Sequence, residues 1–229
     1  MENYIQLNAL EETDRIAFYK KTYAHVAYGV LVFVIVEYFM LSSETLVNFA
    51  LSLTQGKMWF LMLGGFMLAT SFAERMAIKS HDRNKQYLGY FIYIVAEAFI
   101  FIPMLYIAMN MAEGPDLIKQ AAVLTLSLFT GLSAVVLFTG KDFSFMKRFL
   151  TIGFFIAIGL IVAGLLFGFN LGLWFSVGMI VLAAGSILYQ TSNLVHKYST
   201  DQYVSAALGL FASLMLLFWY ILSIFLSRD

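Results

Sequence analysis

Seven stretches of this chain are each long and apolar enough to cross a bilayer, near 22–42, 58–74, 87–109, 118–139, 149–167, 172–193 and 203–226. A spanning helix needs about 20 mostly apolar residues to cross the hydrocarbon layer. Lipid offers no partners to backbone N–H and C=O groups, so each stretch must close its hydrogen bonds within its own helix. The expected fold class is therefore all-α, a polytopic membrane protein of seven transmembrane helices with short connections. Composition bears on what remains: with 61% hydrophobic and 12% charged residues, no segment is left to build a separate aqueous core. The chain divides on this reading into a tail, residues 1–21, and a seven-helix domain, residues 22–229.

Basic residues set the expected orientation. With the N-terminus in the cytoplasm, the inside segments hold Arg15, Lys20, Lys21, Arg75, Lys79, Arg83, Lys85, Lys141, Lys147, Arg148 and Lys197, while Lys57, Lys119 and Arg228 fall outside. The positive-inside rule selects that topology, and seven spans then leave the C-terminus on the periplasmic side. The acidic tail ahead of the first span carries no small-residue cleavage site, so no removable signal peptide is expected. Net charge is zero at pH 7, which gives nucleic acid no basic surface to bind. Cysteine is absent, which removes disulfide and thiolate chemistry.

Between the spans the pattern is informative in three places. Asn8 and Glu11 have the spacing of a capping box, so a helix is expected to start there and run through Lys20 and Lys21 into the first span. Residues 44–55 are apolar but too short to cross, and read as an interfacial helix on the outer face. Gly64 with Gly65, and Gly153, Gly159 and Gly164, suit close helix approach.

Charges inside the spans are the next constraint, because one at the bilayer centre costs about 2.5–3.5 kcal/mol on insertion scales. Glu37 lies towards the outer end of the first span, and Glu97 lies near the middle of the third, six residues before Pro103. Proline removes a helical hydrogen bond, so a kink is expected beside Glu97. An intramembrane ion or proton site has this form. A carboxyl held neutral, or bonded to a hydroxyl or amide of a neighbouring helix, has it too, and Glu37 can also reach towards headgroups. His25 sits one turn inside the boundary, where an interfacial role is expected.

No enzyme site emerges. His25, His81 and His196 are too dispersed for a zinc site, no Gly-rich phosphate loop or Gly-x-Ser-x-Gly elbow occurs, and no Asp lies within a span. The chain is expected to be no enzyme, to use no cofactor and to bind no metal.

Several segments together carry a family resemblance. KDFSF (Lys141–Phe145) precedes the fifth span, ILYQTSNLVH (Ile187–His196) closes the sixth and YVSAALGLFASL (Tyr203–Leu214) opens the seventh. Pro103, Met104 and Leu105 sit in the third span, and Ser227 opens the terminal SRD. In helix order and motif placement the chain resembles the Bax inhibitor family of seven-helix membrane proteins, within it the bacterial YccA-like branch. The resemblance implies a multi-pass protein of the bacterial inner (cytoplasmic) membrane.

Two functions follow from the resemblance. Family members that act as pH-sensitive calcium leak channels carry two aspartates that share a proton and close the pore; the matching positions here are Gln190 and Ser213. An amide and a hydroxyl do not titrate in the physiological range, so a channel of this kind would lack the usual latch, with Glu97 as a substitute cation ligand. Members of the YccA-like branch associate with the membrane-anchored AAA protease FtsH, often with its HflK and HflC partner assembly, and restrain its degradation of membrane proteins. The expected function is modulation of FtsH, as inhibitor or poorly degraded substrate. The alternatives are a cation leak channel and a purely structural or stress-associated membrane partner. For protease engagement the candidates are Leu7, Leu10, Ile16, Phe18 and Tyr19, apolar or aromatic grips on a tail of about 20 residues that reaches at most about 70 Å when extended; a frayed terminus without a partner is the plainer reading.

Overall fold

The computed structural model describes residues 12–80 and 82–227. These residues form eight helices: α1 (Glu12–Leu41), α2 (Glu44–Leu53), α3 (Met58–Lys79), α4 (Arg83–Met109), α5 (Gly114–Thr139), α6 (Met146–Phe167), α7 (Gly172–His196) and α8 (Tyr203–Leu226). No strand occurs among the described residues. All but α2 are long and apolar enough to span a membrane, so the all-α, polytopic seven-helix expectation holds. The helices overrun the apolar stretches at their polar ends, because hydropathy marks hydrocarbon thickness whereas a helix continues until its chain meets a cap.

The caps are readable. Ser43 starts α2, its Oγ accepting from Leu46 N at 3.4 Å. Pro115 sits in the first turn of α5, where no N–H is needed. Gly140 ends α5 at φ 61°, its N–H donating to Val136 O at 2.8 Å. α4 runs through Pro103 without a break.

Helix α1 takes in half of the expected tail. Glu12–Lys21 continues the first spanning helix, so these ten residues advance about 15 Å at helical rise rather than an extended length. Leu7, Leu10 and the Asn8–Glu11 capping spacing lie outside the described residues, as do His81, Arg228 and Asp229.

The chain forms two compact units. The first holds the described chain up to Tyr106 together with His196–Phe211; the second holds Ile107–Val195 and the described chain from Ala212 onward. In the first unit, Val47 and Ala50 of α2 pack on Ile102 of α4, flanked by Met40, Leu41, Leu51 and Phe99. Phe33 meets Phe101 edge to face at 5.3 Å, and Tyr90 meets Phe211 likewise at 5.8 Å. Gly89 lets α4 approach the backbone of α3: a Cβ there would stand 2.6 Å from Ala73 O and 2.8 Å from Ala77 N. Gly29 gives Tyr90 room in the same way. Ser205 of α8 donates to Ala77 O of α3 at 2.7 Å.

In the second unit, Gly153 of α6 faces Leu182 of α7, and Gly185 of α7 faces Met146 of α6. Phe175 and Tyr220 stack at 5.9 Å. Gly153 lies at a close helix approach, as expected, whereas Gly164 is met by Phe169 and Leu171 of the connection that follows its own helix. Gly64, Gly65 and Gly159 lie at no such approach: nothing lies within 4 Å of a Cβ at any of them. A small residue permits close packing, but only a neighbouring helix on that face uses it, and for these three the face is open.

Candidate functional site

Three groups of residues carry the chemistry of the chain. The first is the start of α1. Ile16 is 44% exposed, whereas Phe18, two residues on, is only 3% exposed and serves internal packing. Tyr19 is half-buried, its hydroxyl accepting from Arg15 Nη2 at 3.5 Å. Of the three described grip candidates, Ile16 alone presents a large apolar side chain outward.

The second group is the buried acids. Glu37 is 5% exposed, and neither carboxyl oxygen has a hydrogen-bond partner among the described residues. It does not reach outward, contrary to what its place near a span end suggested. Glu97 is 6% exposed and is hydrogen-bonded to the hydroxyl of Tyr93, one turn earlier on α4. A buried ion without a partner costs several kcal/mol, so Glu37 rests as a neutral acid or holds a cation. Among the described residues no group of three or more His, Asp or Glu is placed to hold a metal ion.

The positions matching the family's acid pair lie in the second unit. Ser213 of α8 pairs with Ser186 of α7, Oγ to Oγ at 2.7 Å, and Gln190 lies one turn further along α7. On the same helix Ser192 fixes the connection between α5 and α6: Phe143 N donates to Ser192 Oγ at 2.8 Å, and Ser192 donates on to Asp142 Oδ1 at 3.1 Å. Asp142 also accepts from Ser144 N at 2.8 Å. The KDFSF segment is thereby tied to the TSN segment.

The third group was not legible in the sequence. In the first unit, Lys21 and His25 of α1, Arg83 and Tyr87 of α4 and Tyr203 of α8 converge where the apolar stretches of their helices begin. Lys21 Nζ lies 3.8 Å from the centroid of the Tyr203 ring and Arg83 Cζ 4.5 Å. His25 Nδ1 is 2.7 Å from the carbonyl of Lys21, an acceptor, so this nitrogen carries the proton. In the neutral ring Nε2 then accepts from Tyr87 Oη at 3.0 Å, and Tyr87 accepts in turn from Tyr203 Oη at 3.2 Å. Lys21 meets Tyr203 through the face of its ring. The polar chain thus runs in one direction, from the Tyr203 phenol through Tyr87 to the imidazole.

The two cations sit within about 8 Å of each other, given their distances to one centroid. Their repulsion amounts to at least about 2 kcal/mol at an effective dielectric of ~20. Cation–π contacts return about 0.5–2 kcal/mol each, so the ring about offsets the repulsion. Arg83 Nη1 donates to Asp201 O at 2.6 Å and to Gln86 Oε1 at 3.2 Å. Neither cation is paired with a carboxylate among the described residues. Tyr and Trp mark membrane interfaces generally, which was the one available signal for Tyr87 and Tyr203; their meeting is tertiary.

Seven apolar helices of membrane length define the class, a polytopic integral membrane protein. The comparison with known families is in accord. The family described as Inhibitor of apoptosis-promoting Bax1 (Bax1-I) matches residues 15–229, and the chain belongs to it. Its members are non-catalytic membrane proteins. The Escherichia coli K12 protein named Modulator of FtsH protease YccA is 37% identical over 117 residues, 50% of this chain and 53% of that protein. An uncharacterized Vibrio cholerae membrane protein is 37% identical over 123 residues, 53% and 55% of the two chains, and the mouse protein lifeguard 4 is 33% identical over 113 residues, 46% and 45%. The matches span about half the length of these curated relatives. The bacterial relatives include one named as an inner membrane protein, and the chain is a multi-pass protein of the bacterial inner membrane.

Proposed function

We propose that the chain modulates a membrane-anchored AAA protease of the FtsH type, alone or with its HflK and HflC assembly, slowing the degradation of membrane proteins while resisting degradation itself. The observation that carries this reading is the 37% identity to a relative named as a modulator of that protease. Orientation follows the positive-inside rule, with the start of α1 and the basic connections in the cytoplasm and the C-terminus in the periplasm. That topology puts Ile16 on the side where a cytosolic protease ring would act, with Phe18 turned inward; Leu7 and Leu10 remain candidates by position in the sequence. Resistance to extraction comes from packing: a helix pulled from lipid must expose polar backbone or abandon close contacts such as Gly89 on α3 and Gly153 on Leu182.

Co-purification from native bacterial membranes tests the reading. FtsH is expected to be recovered with the full chain and to fall at least about tenfold when residues 2–11 are removed. No recovery with either form rejects the partner, and equal recovery with both rejects the tail as its grip.

A second reading, a cation leak, has one observation in its favour, the buried and unpartnered carboxyl of Glu37. Calcium flux into proteoliposomes is then expected to fall in Glu37→Gln or Glu97→Gln. Flux unchanged by both substitutions removes this reading.

A further inference from the structure

We propose that Lys21, Arg83, Tyr87 and Tyr203 form a binding site for the phosphate headgroup of an anionic phospholipid in the leaflet facing the basic connections.

Four observations converge. The residues lie where three apolar stretches begin, near 22, 87 and 203, which is the depth of a headgroup and not of the hydrocarbon core. Two cations are held within about 8 Å of one another without a carboxylate between them, so the cluster has a positive field that the described residues leave uncompensated. Their donors are part-used in a defined way. Arg83 spends Nη1 on Asp201 O and Gln86 Oε1, which fixes the guanidinium and leaves Nη2 and Nε for a second acceptor. Lys21 is held over the Tyr203 ring by a cation–π contact, which leaves its ammonium N–H groups for an acceptor. Finally, the carboxylates nearest in sequence are already engaged: Asp82 Oδ1 accepts from Asn84 N at 2.9 Å and Asp201 Oδ1 from Ser199 Oγ. Neither forms an ion pair with Lys21 or Arg83.

The chemistry selects the ligand. A phosphodiester with one negative charge and two free oxygens matches a guanidinium edge plus an ammonium. A zwitterionic headgroup brings its own cation, which the positive field disfavours. Stacking on Tyr203 holds both donors in place before the lipid arrives, so little side-chain entropy remains to be lost. The site is independent of the protease reading, because it concerns the leaflet and not the tail.

Native mass spectrometry of the full chain, incubated with equimolar phosphatidylglycerol and phosphatidylethanolamine, tests it. Phosphatidylglycerol adducts are expected to dominate, and each cation lost weakens them about fivefold, so Lys21→Gln with Arg83→Gln lowers adduct affinity about 25-fold. Lys147→Gln with Arg148→Gln, removing two cations at the start of α6, leaves the preference unchanged. Arg83→Lys, which keeps charge but loses the fork, falls between these. Thermal unfolding of each variant separates lost binding from lost fold, and Tyr203→Phe keeps the stacked ring should the double variant not fold. Equal preference for the two lipids, or equal losses in both double variants, overturns the site. Displacement of phosphatidylglycerol by millimolar inorganic phosphate overturns the lipid as its occupant.

Discussion

Helices α6 and α8 are both apolar from end to end, yet the protein encloses 56% of the apolar stretch of α8 and 6% of that of α6. In water such a pair would differ in hydrophobic pattern; in lipid it need not, because acyl chains are as apolar as leucine and exert no inward pull. The difference lies in which faces meet a neighbour. α8 carries Ser205, Ala206, Ala207, Gly209 and Ser213, and packs Phe211 fully inside. α6 has small residues too, but a Cβ at Gly159 would meet nothing within 4 Å, and Phe149, Phe155 and Phe167 turn outward. Enclosure in this protein follows the neighbours a helix has rather than its hydropathy.

Two phenylalanines put the largest strain on that contrast. Phe211→Ala is expected to destabilise by about 3–5 kcal/mol through the cavity left under Tyr90 and Tyr93. Phe155→Ala on α6 should stay within about 0.5 kcal/mol, both followed by unfolding in detergent. Comparable losses would erase the distinction between an enclosed and a lipid-facing helix.

Glycines sharpen it next. Gly89→Ala drives a methyl into the backbone of α3 and should cost about 1–3 kcal/mol, whereas Gly64→Ala meets open space and should gain up to about 1 kcal/mol in helix propensity. Opposite signs in thermal shift are the expected result. Ser192→Ala leaves Phe143 N without its acceptor and removes one of the donors to Asp142, for about 1–2 kcal/mol, and should speed proteolysis within 140–145. The smallest effect is expected for Ser213→Ala, about 0.6 kcal/mol, typical of an interhelical hydrogen bond in a membrane.

These contrasts show what the sequence could and could not carry. Seven spans were legible because crossing hydrocarbon demands a fixed run of apolar residues, and α2 because its run was too short to cross. Helix ends were less so: α7 reaches His196, since polar residues at headgroup depth extend a helix without a hydropathy signal. The Gly64–Gly65 pair looked like a contact and meets nothing, whereas the unremarked Gly89 meets a backbone, because spacing along one helix does not say which face a second helix takes. Glu37 and Glu97 were found from the cost of charge in lipid alone. The Tyr203 cluster was not, because Lys21, Arg83 and Tyr203 are distant in the chain and only the fold of α1, α4 and α8 brings two cations to one ring. The tail candidates were chosen by location, and Phe18 shows the limit of that: one helical register separates it from the outward Ile16.

Degradation of a membrane substrate by FtsH reconstituted in liposomes, with and without this chain, tests the protease reading most directly. The account predicts substrate half-life lengthened several-fold by the full chain, with the chain itself persisting, and most of that effect lost when residues 2–11 are removed. Identical half-lives in its presence and absence, or rapid destruction of the chain, would contradict it.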